Sequence, residues 1–188
     1  MIQTKHSMTK YFSMAVFIFF TLTGCGNNPV EGITKPEISL MDAAMKGKVE
    51  TIRQHITIGT KLDEQDPQSG STALIAAATF GQTEAALLLI ENGADLEVQN
   101  NEGSTALITA AFFCRTEIVK ALLEKGAECG AKNNAGATAL DSVTGPFNEI
   151  KPVYDLLQGI LEPVGLKLDY QRIETTRPKI AEILKHEK

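Results

Sequence analysis

The sequence predicts an all-α solenoid built from helix-turn-helix units of 33 residues joined by β-hairpin loops. Three observations predict it. Gly70-Ser71-Thr72-Ala73-Leu74 recurs as Gly103-Ser104-Thr105-Ala106-Leu107 and again as Gly136-Ala137-Thr138-Ala139-Leu140, each time 33 residues on. Asn100-Asn101 returns as Asn133-Asn134, and Gly93-Ala94 returns as Gly126-Ala127, at the same step. Between these marks the apolar residues keep helical spacing: Leu107, Ala110 and Ala111 form a narrow stripe, and Ile118, Val119, Leu122 and Leu123 a second one. A fixed period carrying the same punctuation means one structural unit stacked on itself.

Residues 1–24 are read as a leader, outside this pattern. Lys5 and Lys10 supply a positive start and no acidic residue precedes Cys25. The apolar run Tyr11-Phe12-Ser13-Met14-Ala15-Val16-Phe17-Ile18-Phe19-Phe20 is shorter than the ~20 residues of a membrane span and fits a secretory core. It ends in Leu22-Thr23-Gly24-Cys25, which resembles the lipobox of bacterial lipoproteins. The resemblance implies cleavage before Cys25 and acylation of its thiol. Gly26 stands where aspartate would favour inner-membrane retention, so the expected location is the cell envelope, at the outer membrane facing the periplasm in a diderm host. Residues 25–37, with Gly26, Asn27, Asn28, Pro29 and Pro36, read as a tether.

The repeat domain is expected over 38–188, in units of about 38–68, 69–101, 102–134 and 135–188. In the first, Leu40, Ala43, Ala44 and Gly47 precede Val49, Ile52, Ile56 and Gly59, and the turn Asp66-Pro67-Gln68-Ser69-Gly70 carries one extra residue. It lacks the Gly-Ser-Thr turn at its start, as a terminal capping unit does. Within each central unit Gly103 allows a tight turn, Thr105 caps the following helix and Gly126 ends the second helix in the left-handed region. Thr72-Ala73-Leu74-Ile75-Ala76-Ala77-Ala78 and Thr105-Ala106-Leu107-Ile108-Thr109-Ala110-Ala111 resemble the T-P-L-H-x-A-A pattern of ankyrin repeats, with alanine for proline and isoleucine for histidine. The family's histidine ties neighbouring turns by hydrogen bonds. Apolar packing is expected to replace it here, loosening the turns without unseating the fold.

The last unit starts at Ala139-Leu140-Asp141 and departs at Gly145-Pro146. A helix over about 149–161 follows, with Val153, Tyr154, Leu157, Ile160 and Leu161 as its apolar face and Pro152 in its first turn. Thr176-Arg177-Pro178 reads as a further helix start, with Ile180, Ile183 and Leu184 as its stripe. Two paths fit. In the preferred one, about 146–175 is an insertion between the two helices of the final repeat; in the other, 149–161 is the second helix, Pro163 to Asp169 a hairpin and 178–186 a separate cap.

Composition narrows the function. The chain carries 18 Lys and Arg against 23 Asp and Glu, and removal of the leader takes away two lysines and no acid. So acidic a chain argues against nucleic acid, whose phosphates are met by basic patches. Catalytic spacing is missing: His6 lies in the leader, His55 in the first repeat and His186 in the tail, with no C-x-x-C, H-x-x-x-H or G-x-S-x-G. No cofactor and no metal is expected. Asp63, Glu64, Asp66, Asp95, Glu97 and Glu102 read as a solvated rim rather than a calcium loop. Cys114 and Cys129 fall at opposite ends of a helix, roughly 15–20 Å apart, too far for a disulfide. Cys129 is read as a small buried hydrophobe.

A binding module follows, expected as a monomer holding an unknown envelope protein. The alternative role within that class is an immunity or inhibitor protein against an envelope-acting toxin. An enzyme with its site in the insertion, around Tyr154, Asp155, Asp169, Tyr170 and Arg172, is the remaining class. On a helical wheel of about 100° per residue, Phe112 and Phe113 point away from the core face, and Phe80 repeats the position of Phe113. The ankyrin resemblance places such positions in a concave groove. Met45, Lys46, Thr79, Phe80, Phe112 and Phe113, flanked by hairpin residues Ser71, Glu102 and Ser104, are therefore the candidate partner-binding residues.

Overall fold

Each unit begins where a hydroxyl takes over an orphan amide. Thr72 Oγ1 accepts from the Ile75 N–H and Thr105 Oγ1 from the Ile108 N–H, both at 3.3 Å, and Ser39 Oγ accepts from the Asp42 N–H at 3.0 Å. These caps open the first helices, α1 (Leu40–Met45), α3 (Ala73–Phe80) and α5 (Ala106–Phe112). The second helices are α2 (Val49–Thr57), α4 (Thr83–Glu91) and α6 (Thr116–Glu124). A 3₁₀ turn (Asp141–Val143), α7 (Phe147–Leu161), a second 3₁₀ turn (Glu162–Val164) and α8 (Tyr170–His186) complete the chain. This is a computed structural model, and it describes residues 36–186, which belong to one unit spanning 33–188. The leader, Cys25, His6 and most of the expected tether lie outside the described residues. Among those residues there is no strand, and no helix is long and apolar enough to cross a membrane.

The helices form two rows. α1, α3, α5 and the Asp141–Val143 turn lie side by side, and α2, α4, α6 and α8 lie against them in the second row. A first helix in mid-stack has neighbours on almost every side, which is why α3 is alanine-rich and buries Ala73 through Ala78 without a break. The second helices have one free face. α6 buries Ile118, Val119 and Leu122 and turns Glu117, Lys120 and Glu124 to solvent. Burial of Leu89, Leu107 and Leu122, each at most 1% exposed, stabilises the stack by about 1.5–3 kcal/mol apiece.

Polar ladders, not apolar packing alone, tie the loops. Asn101 Nδ2 donates to Gln68 O at 2.7 Å and Asn134 Nδ2 to Asn101 O at 2.8 Å, while their backbone N–H groups donate to Ser69 O and Glu102 O. Gln65 and Gln99 reach Gln99 O and Lys132 O in the same way, at 2.8 and 3.1 Å. Ile75 and Ile108 are buried as expected, but the loops are bridged rather than loosened. Gly103 makes this possible: at φ 74° a Cβ there would stand 2.7 Å from the Asn134 backbone nitrogen. Each loop closes on a pair of backbone bonds, such as Asn100 N–H to Ser104 O and Gly103 N–H to Asn100 O, and the extra residue of the first loop shows in its wider closure, Asp66 N–H to Ser71 O and Gly70 N–H to Asp66 O.

The C-terminal unit departs most from the sequence expectation. Its first helix stops after one 3₁₀ turn, held by Thr138 and Asp141, because Gly145-Pro146 follows. α7 begins at Phe147, so Pro152 stands in the second turn and leaves the exposed Asn148 carbonyl without its helical donor. α8 begins at Tyr170, two turns before Pro178, because Asp169 caps it by accepting from the Arg172 N–H at 2.9 Å. Pro178 is tolerated inside the helix since the carbonyl it orphans belongs to exposed Glu174. Of the five residues expected to pack α7 inward, Tyr154 is buried, Leu157 and Leu161 are half-buried, and Val153 and Ile160 are exposed.

Candidate interaction surfaces

The carbonyls at the ends of the first helices need donors, and the next unit supplies them. Gln82 Nε2 donates to Met45 O at 3.0 Å. One repeat on, Arg115 Nη2 donates to Thr79 O at 2.9 Å and Nε to Ala78 O at 3.4 Å. In the terminal unit Tyr154 Oη donates to Phe112 O at 2.5 Å and Arg172 Nη1 to Cys114 O at 2.8 Å. The signal was present in the sequence, since Gln82 and Arg115 are long donors 33 residues apart.

These clamps fix where the candidate groove residues lie. Met45, Thr79 and Phe80 are half-buried and Lys46 is exposed, at 3.7 Å from Asp42. Ser71 and Ser104 are half-buried in the loops and Glu102 is exposed. The two remaining aromatics behave otherwise. Phe113 is only 6% exposed, edge-on to Phe112 at 5.0 Å and with the Arg115 guanidinium 6.0 Å from its centroid. Phe112 is half-buried, its centroid 4.6 Å from that of Tyr154. Helix α5 ends at Phe112, so a wheel extrapolated to Phe113 misplaces it, and the Tyr154 ring of α7 takes the space beside Phe112. Phe113 therefore leaves the candidate set, and Phe112, half-buried like Phe80, has one side committed to Tyr154.

The polar residues around the C-terminal unit are likewise committed to structure. Arg177 is 3% exposed and donates to Ser142 O and Thr144 O at 3.0 Å each and to Tyr154 Oη at 3.3 Å. A buried charge is tolerable when oxygens surround it in this way. The sequence reading treated Arg177 only as part of a helix start. Burial pushes the Tyr154 phenol up to about 12, so it remains a donor. Burial, and then the neighbouring Arg172, lower Arg115 to about 10, still charged at neutral pH. Asp155 accepts from Lys151 at 2.8 Å, and that lysine holds its carboxyl below the usual range.

Two rim carboxylates also bridge repeats: Asp63 accepts from the Asp95 N–H and Glu97 from the Glu128 N–H, each at 2.8 Å. They are ties and not merely a solvated rim. Cys114 is a buried thiol directed at Ile173 O, 3.7 Å away, whereas Cys129, expected buried, is half-buried. His55 is buried with both nitrogens engaged, Nε2 at 2.9 Å from Ile38 O and Nδ1 at 3.0 Å from Thr60 Oγ1.

The paired rows, the 33-residue ladder and the repeated caps agree with comparison to known families: the model for ankyrin repeats, in three copies, matches residues 40–133, half of the chain. The chain belongs to the ankyrin-repeat family. No curated protein matches it. Ankyrin repeats form a protein–protein interaction module. In this ankyrin-repeat chain the first helices end in half-buried residues, Met45, Thr79 and Phe80, beside loops bridged from one repeat to the next.

Proposed function

We propose that the chain is a lipid-anchored binding protein of the bacterial envelope, attached through Cys25 and holding a protein partner with its groove and loops. The observation that carries the binding half is the row Met45, Thr79 and Phe80, half-exposed on helix ends whose carbonyls are clamped by Gln82 and Arg115. A row held this firmly loses little conformational freedom on binding, which favours affinity. Lys46, Ser71, Glu102 and Ser104 border it and supply polar contacts. The anchor half is supported by Leu22-Thr23-Gly24-Cys25 behind a basic, then apolar leader. Two or more acyl chains hold a protein stably on a membrane, where one binds marginally.

Each half has its own test. Intact mass after expression in the native host should give a chain starting at Cys25 plus lipid; an uncleaved leader or an unlipidated mature chain refutes the anchor. Crosslinking in cells followed by recovery from detergent-solubilised envelope should yield one dominant partner. Phe80→Ala should then weaken that complex by about 2 kcal/mol, roughly 30-fold. Unchanged affinity refutes the groove assignment.

A further inference from the structure

Two of the side chains that clamp the ends of the first helices carry a charge. Arg115 donates to the Ala78 and Thr79 carbonyls through Nε and Nη2, at 3.4 and 2.9 Å, and its guanidinium lies against Gly81. On the next inter-helix turn, Arg172 Nη1 donates to the Cys114 carbonyl at 2.8 Å. Clamping alone does not require a cation. Gln82, at the position of Arg115 one repeat earlier, holds the Met45 carbonyl with a neutral amide and lies against Gly47 in the same way.

Among the described residues no acid neutralises these two cations: none of the ion pairs involves an arginine. Glu117 and Glu174, two residues from each arginine, are exposed, and Asp169 accepts from the Arg172 backbone N–H instead. Both arginines are half-buried, and burial, then the charge of Arg172, lower Arg115 to about 10. Like charges held near each other in such surroundings are unfavourable until an anion joins them. Their forks also have donors to spare. Among the described residues no buried side-chain nitrogen is without a partner, so Arg115 Nη1 and Arg172 Nε and Nη2, which bond to nothing, open to solvent.

A carboxylate matches the planar guanidinium fork. A protein is the source that fits best, because Phe80 follows Thr79, whose carbonyl Arg115 holds. An apolar contact and the cationic forks thus adjoin. An anionic bilayer fits poorly: it is met by clusters of about 4–8 Lys or Arg at the surface, whereas these two are half-buried and Glu84 and Glu117 stand exposed in the first turns of α4 and α6.

We propose that Arg115 and Arg172 form a carboxylate-binding subsite at the end of the groove, taking an Asp or Glu side chain of a partner segment that packs against Phe80. The subsite rests on the groove reading above and adds the partner's chemistry, an apolar residue with an acid close by. Guanidiniums already fixed by carbonyls lose little freedom when the acid arrives.

The test is a phage-displayed library of random short peptides, depleted on Arg115→Gln with Arg172→Gln and then selected on the full wild-type chain. Glutamine keeps a clamping donor, as Gln82 does, and removes the charge. The survivors should carry Asp or Glu beside an apolar residue. By fluorescence anisotropy they should bind the double variant about tenfold or more less tightly than the wild type. Changing the peptide's acid to its amide should cost the wild type the same factor and the double variant nothing further. Arg172→Gln alone, which touches one carbonyl, should lose about threefold or more and carries the test if the double variant does not fold. Arg115→Lys with Arg172→Lys, which keeps the charge, should bind more tightly than the glutamine variant. Survivors that need the arginines but tolerate Phe80→Ala would refute the groove and keep the subsite. No peptide that distinguishes wild type from variant, survivors without an acid, or acid dependence that persists in the double variant overturns the proposal. So does binding to anionic vesicles that the double variant loses.

Discussion

Cys114 stands at φ 56°, the one non-glycine residue with positive φ among the described residues, in the inter-helix turn where earlier units have Gly47 and Gly81. A side chain in that region costs about 1–3 kcal/mol. Cys114→Gly should therefore melt higher than Cys114→Ala, the reverse of the usual order for these two residues, and a lower melting temperature for the glycine variant would refute the strain. The thiol also has a pH signature. Burial raises it from 9.0 to about 11, so between pH 9 and 11 the unfolded chain has lost a proton that the folded chain keeps. Stability is then full below pH 9 and falls above it. Above pH 10 Tyr154, which burial also raises, acts in the same sense, so the window that isolates the thiol is pH 9 to 10. Across it the wild type should lose on the order of 1 kcal/mol more than Cys114→Gly in urea titrations. Equal slopes would show that the thiol does not contribute. Phe112 gives a third prediction. With its ring against Tyr154 and Phe113, Phe112→Ala should cost about 3 kcal/mol and lower the melting temperature markedly.

At the scale of elements, the loop ladder is a stabilising device that can be counted. Asn101 and Asn134 each make one side-chain bond to the preceding loop, in exposed surroundings. Asn101→Ala and Asn134→Ala should each cost about 0.5–1.5 kcal/mol. Because the two bonds join successive loops through Asn101, the double variant should deviate from additivity when measured by urea unfolding. The repeated elements were legible in the sequence because local signals and packing agree there: Thr72 and Thr105 cap, Gly103 turns, and the alanines fill the first-helix row. The ladder was half legible. The Asn-Asn recurrence was visible, but its partners are backbone carbonyls of the neighbouring loop, which no sequence displays. The terminal unit was least legible. Where α8 starts depends on Asp169 as a cap, and the fate of Phe113 depends on α7 and on where α5 ends. Both are decided by contacts between residues more than 30 positions apart or by a helix terminus, beyond the reach of a wheel. For the candidate residues this means that the wheel misplaced Phe113, which is buried, and that Val153 and Ile160 of α7, expected to pack inward, are exposed.

The whole molecule is a stack held by interfaces between neighbours, so its ends matter more than their share of residues. α8 lies against α6 and against the Asp141–Val143 turn, and it buries Ile173, Ile180 and Leu184, each no more than 4% exposed. At about 1.5–3 kcal/mol per side chain, these three alone approach the net stability of about 5–15 kcal/mol that a whole domain has. The same segment carries Arg172 and Arg177, which satisfy carbonyls at Cys114, Ser142 and Thr144. Removal of residues 146–188 therefore uncovers the apolar flank of α6 and takes these donors, and Tyr154, from the carbonyls of Phe112, Cys114, Ser142 and Thr144 together. The truncated chain should aggregate during gel filtration and lose its cooperative thermal transition. Charging two exposed residues of the same segment, by Leu156→Glu with Ile160→Glu, should do neither. If the truncated chain stays soluble, helical and cooperative on heating, the C-terminal segment is not the cap of the stack, and the repeats before it are sufficient on their own.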